Sequence, residues 1–157
     1  MPRFELKKYH KNMGHEGEGF ACELWMDGAL AAHVIDEGGG GAPLYQWASR
    51  EAANKVLEHI KTLPEKVYPA GQGMDELRVP ADQETFIWDL VTAYLDDKRV
   101  RQAAKTKLLF KLKSDAGTNV AYRTLKAPYS KQAAEFVRKK YGDDLLEIVN
   151  ETLAKGD

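Results

Sequence analysis

The chain has 157 residues, 43% of them apolar and 30% charged, with a net charge of −1. That make-up describes one soluble globular domain, burying about 70% of the surface of its unfolded chain, and excludes a disordered segment. No apolar run approaches the roughly 20 residues of a membrane helix, "MPRFELKKYH" holds no signal-peptide core, and the single cysteine, Cys22, excludes an internal disulfide or a multi-cysteine zinc site.

"FELKKY" reads as a first strand. "GFACELWM" and "ALAAHVI" alternate in polarity around Asp27-Gly28, the dipeptide favoured in two-residue hairpin turns. In that register Phe20, Cys22, Leu24 and Met26 share a face with Ala29, Ala31, His33 and Ile35. Ser49 caps a helix over about 50–62, whose apolar stripe is Ala53, Val56, Leu57 and Ile60. Residues 64–81 hold three prolines and two glycines and read as a long connector with one short strand at most.

Asp82 caps a long helix with Ile87, Leu90, Val91 and Tyr94 on its buried face. "KLLFKLK" and "VAYRTLK" form a second hairpin through "SDAGTN", with Lys107, Lys111 and Lys113 opposite Leu108, Phe110 and Leu112. Ser130 caps "KQAAEFVRKKY", Gly142 closes it, and a last helix is expected over about 144–154. Hairpins without regular β-α-β alternation predict one α+β domain over 1–157. It has antiparallel sheet and about four helices, as a β-β-β-α half (1–63), the connector (64–81) and an α-β-β-α-α half (82–157).

The glycine run in "DEGGGGAP" lacks the Gly-Lys-Ser/Thr ending of a Walker loop. It also lacks the n, n+2, n+5 glycines of the dinucleotide fingerprint, because Pro43 or Leu44 takes the third place. In a three-strand meander, "HKNMGHEGEG" and "DEGGGG" meet at one end of the sheet. That rim would hold His10, His15, Glu16, Glu18, Asp36 and Glu37 on backbone that Gly38, Gly39, Gly40 and Gly41 open to a ligand. Imidazole and carboxylate suit zinc, manganese or iron, so His10, His15, Glu16 and Asp36 are the candidate metal ligands, although their spacing matches no established signature. No other cofactor is expected. Cys22 and His33 would face each other across the hairpin, a pairing that core packing explains better than nucleophilic catalysis. No serine nucleophile turn is present.

Charge is sorted along the chain. Residues 1–97 hold 9 Lys/Arg and 17 Asp/Glu, residues 98–140 hold 13 Lys/Arg against Asp115 and Glu135, and residues 141–157 hold one against five. Within the basic block, Lys98, Arg101 and Lys105 line one helix side, and Arg123, Lys126, Lys131, Arg138, Lys139 and Lys140 are interleaved with Tyr122, Tyr129 and Tyr141. Cations among aromatics suit phosphate contact and base stacking. Arg101, Lys105, Arg123, Lys126, Tyr122 and Tyr129, with the glycine backbone, are therefore the expected ligand-binding residues. The acidic first block disfavours a long nucleic-acid backbone. The expected partner is a small anionic ligand or a protein, and acidic-to-basic pairing between copies gives a homo-oligomer as an alternative.

The blocks "GHEGEGFACELWMDGALAAHVIDEGGGG" and "TLKAPYSKQAAEFVRKKYGDDLLEIVNETL" resemble small uncharacterised accessory proteins encoded by bacteriophages. The resemblance assigns no activity to a residue. It implies a role in infection, in the host cytoplasm: sequestering a host defence signal or inhibiting a host factor. The resulting expectation is a non-catalytic binding protein for a nucleotide-like anionic molecule. The alternatives are a protein–protein inhibitor and a metal-dependent phosphodiester hydrolase.

Overall fold

The computed structural model describes residues 1–156 and has the expected α+β class, with every strand pair antiparallel. Contacts divide the chain within its longest helix into two units, Met1–Tyr94 and the part from Leu95 onward.

The first unit is built on a sheet of order β1-β2-β3-β4: Phe4–Met13, Glu18–Met26, Ala29–Asp36 and Leu44–Trp47. The Asp27-Gly28 turn forms as expected, with Met26 opposite Ala29 and φ angles of 50° and 81°. Two bulges reset the register. In β1, Lys8 takes a φ of 52° between the pairs Lys7–Glu23 and His10–Ala21. In β3, Ala31 is the extra residue between the pairs Trp25–Leu30 and Leu24–Ala32. The second bulge corrects the expected face. Phe20, Cys22 and Leu24 share the core side with Ala32 and Val34, whereas His33 turns to solvent opposite Glu23.

β4, unanticipated as a strand, follows Pro43 and pairs with β3. α1 (Arg50–Lys61) starts at Ser49, whose hydroxyl accepts the Ala52 N–H at 3.0 Å, and buries Val56 and Ile60. The connector contains a small hairpin of two strands, β5 (Lys66–Tyr68) and β6 (Leu77–Val79). α2 (Gln83–Ala104) begins with a reciprocal cap. The Thr85 N–H donates to Asp82 Oδ1 at 2.8 Å, and the Asp82 N–H donates to Thr85 Oγ1 at 3.0 Å. From α2, Phe86 and Trp88 set their rings edge-on to Phe4 and Phe20 at 5.1 and 5.0 Å.

In the second unit, β7 (Leu108–Leu112) is the central strand of a sheet of order β8-β7-β9, between Arg123–Leu125 and Leu145–Ile148. Leu108, Phe110 and Leu112 pack with Ala134 and Val137 of α3 (Lys131–Tyr141) and with Ile148. Ser130 caps α3 through the Ala133 N–H at 3.0 Å, and Gly142 ends it at φ 52°. The expected final helix is corrected in its first half. Leu145–Ile148 is a strand paired with β7, and α4 spans only Val149–Lys155. The open edge of β7 supplies partners that a first helical turn would forgo.

Candidate functional site

The meander does bring the two glycine-rich loops together. Their meeting is a backbone-on-backbone contact: the Glu16 N–H of the first loop donates to Gly38 O of the second at 3.0 Å, while the Gly14 N–H closes the first loop on Gly17 O at 2.9 Å. A Cβ on Gly14 would strike the carbonyls of Glu37 and Gly38, and one on Gly19 would strike the carbonyl of Asp36. Gly38 (φ 68°) and Gly40 (φ 74°) need left-handed backbone, whereas Gly39 and Gly41 have open space where a side chain would begin. Half of the glycine run therefore serves the interlock, and half presents bare backbone to solvent.

Of the expected metal ligands, the structure gathers only part. β1 extends to Met13, so His10 is a strand residue opposite Ala21, with its ring Nδ1 3.3 Å from Lys8 O. Asp36 lies opposite Phe20. Ala21 and Phe20 are consecutive in β2, so His10 and Asp36 leave opposite faces of the sheet. The Asp36 carboxylate accepts the Gly38 N–H at 2.8 Å, and His15 is exposed on the loop. Among the described residues, no group of three or more His, Cys, Asp or Glu side chains is placed to hold a metal ion. The Cys22–His33 pair is likewise separated, with Cys22 opposite Val34 and its thiol pushed up to about 11 by burial.

What the rim forms is a cleft of about 240 Å³, lined by Glu16, Glu18, Asp36 and Glu84, bare glycine backbone and the half-exposed ring of Trp88. Glu84 and Trp88 arrive from α2, 43 or more residues from the glycine run, and no local pattern links them to it. A wall of this composition repels phosphate.

The expected ligand-binding residues of the basic block do not form one site. Arg101 donates to Asp97 at 2.8 Å. Arg123 makes two 2.8 Å hydrogen bonds to Asp115, which they hold below the usual carboxylate range. Tyr129 donates its hydroxyl to Glu151 at 2.9 Å, and that carboxylate also takes both contacts from Arg138, at 2.7 and 2.6 Å. Tyr122 is half-buried. Lys105 and Lys126 are exposed. Lys126 follows Leu125, the partner of Leu108 in the sheet, and the Leu108 N–H donates to Ala127 O at 2.8 Å. Lys111 alternates outward from β7 as expected, but pairs with Glu147 across the sheet at 3.0 Å.

The exposed side of α3 is arranged differently. Ala133, Ala134 and Val137 face the core, which leaves Gln132, Phe136, Lys139 and Lys140 outward, with Glu135 at their flank. Phe136 is 52% exposed, and Lys140 Nζ stands 5.9 Å from its ring centroid. Sequence reasoning marked these lysines but missed Phe136. The signal was its place off the alanine-valine stripe at helical spacing. Compared with known proteins, the chain matches no family model, no curated protein and no solved structure.

Proposed function

We propose that this protein is a non-catalytic accessory binding protein, of the phage type its sequence resembles, that docks on an acidic surface of a host protein. The observation that carries this reading is the outward face of α3. There a large apolar ring that the fold leaves exposed stands 5.9 Å from the Lys140 ammonium, with Lys139 exposed beside Lys140 in the chain, and neither lysine has an ion-pair partner among the described residues. Aromatic anchors ringed by charge are the usual energetic centre of a protein interface, and complementary charge speeds encounter and selects the partner.

Sequestration of a nucleotide-like anion is supported less well. The guanidinium groups that would clamp phosphate are engaged by Asp97, Asp115 and Glu151, and the glycine cleft is lined by carboxylates. The deciding experiment sets the two readings against each other. A stoichiometric host protein should co-purify with the wild type and be lost from a Phe136→Ser/Lys139→Glu variant of unchanged thermal midpoint. A thermal shift with cyclic or ADP-ribose-type nucleotides, and no protein partner, would replace this reading with the small-ligand one.

A further inference from the structure

The four-stranded sheet has two unlike edges. β1 is guarded by its bulge at Lys8 and by Lys7, Lys8 and Lys11, the devices by which native sheets discourage pairing with another chain. β4, "LYQW", carries no charge, no proline and no bulge against β3, and no strand of the protein pairs with its other side among the described residues. Its hydrogen-bonding sense is fixed. The Ala48 N–H donates to Ala31 O at 2.8 Å, so by alternation Gln46 and Leu44 also turn towards β3. The N–H and C=O groups of Tyr45 and Trp47 then face the open side.

We propose that β4 is a self-association edge, on which a second copy of the chain docks strand to strand, antiparallel, about a two-fold axis normal to the sheet. The register follows from the free groups. Tyr45 opposite Trp47 of the second copy exchanges both hydrogen bonds, and the symmetric pair doubles them to four. Tyr45 opposite Tyr45 sets Trp47 against Pro43, which can accept the Trp47 N–H but has no N–H to return, so only the first register completes both bonds of every pair and does so within β4 itself. The favoured register places Gln46 against its own symmetry mate and the exposed Leu44 against Ala48. Tyr45 and Trp47, stacked at 4.8 Å within each copy, become a cross-strand aromatic ladder.

A second copy is the occupant because the edge is complementary to itself. An uncharged strand meets its mate without repulsion. Arg50, exposed and without an ion-pair partner among the described residues, lies just beyond one end, and the exposed Glu37 lies beyond the other. Antiparallel pairing brings each Arg50 towards the acidic loop of the other copy. The interface is isologous and closes at two chains.

Light scattering from micromolar to millimolar concentration tests this on the full chain, with Gln46→Lys and Gln46→Glu as probes. Gln46 is exposed on the sheet, so either change leaves the monomer intact, yet each sets like charges directly opposite at the axis. The wild type should reach twice its 17.6 kDa mass. Each variant should raise the dissociation constant roughly three-fold or more, and mixing the two should restore dimer. Amide exchange at Tyr45 and Trp47 should slow as concentration rises. A wild type that stays at 17.6 kDa throughout, or a dimer indifferent to both variants, overturns the proposal.

Discussion

Arg123 grips Asp115 with two parallel hydrogen bonds, Nε to Oδ2 and Nη2 to Oδ1, both 2.8 Å long. The pair ties the turn after β7 to β8, and it takes a guanidinium that looks from the sequence like a phosphate ligand. Asp115→Asn should lower the thermal midpoint at neutral pH and leave any anion affinity of Arg123 no smaller. The folded value of Asp115 lies below its ordinary one. Its contribution is therefore complete above about pH 4 and lost as pH falls through the folded value. Thermal melts of wild type and variant should differ at pH 7 and converge in acid; a gap independent of pH would contradict the assignment.

The glycines of the two facing loops should divide under alanine substitution. Gly39→Ala and Gly41→Ala meet open space at ordinary φ, and should be neutral or stabilise by about 0.4–1 kcal/mol through the unfolded chain. Gly19→Ala, and Gly14→Ala in the facing loop, drive a methyl group into a carbonyl oxygen and should cost about 1–3 kcal/mol. Urea denaturation separates the classes. Equal costs at Gly19 and Gly39 would mean that the loops do not interlock.

The elements legible in the sequence were those with their own punctuation: the Asp27-Gly28 turn, the Ser49 and Ser130 caps, Asp82, and Gly142 at the end of α3. The meander they imply was enough to bring the glycine loops together. β4 escaped because four residues after a proline have too little length to show a period. β9 escaped because Leu145, Ile148 and Val149 stand at i, i+3 and i+4, a helical stripe, while the partner that makes Leu145–Ile148 extended is β7, more than 30 residues away. The bulge at Ala31 leaves no mark on composition, yet it moves His33 from the core face to solvent. Neutralisation of the basic block was equally hidden, since Glu151 reaches Arg138 and Tyr129 only after α4 packs.

Asn150 serves three backbone groups at once. Its Oδ1 accepts the Leu109 N–H at 2.8 Å, and its Nδ2 donates to Ala104 O and Lys107 O, both at 3.0 Å. It thereby satisfies carbonyls at the end of α2 and locks them to the start of β7. Asn150→Ala should cost about 1–3 kcal/mol in chemical denaturation. Asn150→Asp, which keeps the acceptor and loses both donors, should not restore it. A loss below about 0.5 kcal/mol would show that water replaces the amide.

Phe136 and Lys139 should contribute to partner binding in different ways. Phe136 is exposed, so Phe136→Ser should leave stability within about 0.5 kcal/mol while weakening the complex by roughly 30-fold or more, chiefly through faster dissociation. Lys139→Glu acts at the charged rim and should slow association. That effect should shrink when salt rises from about 0.05 to 0.3 M, as the Debye length contracts. Surface plasmon resonance on the co-purified host protein reads both rates. If the Phe136 variant binds like wild type, the partner uses another face. If the Lys139 effect persists in high salt, the lysine makes a desolvated pair instead of steering encounter.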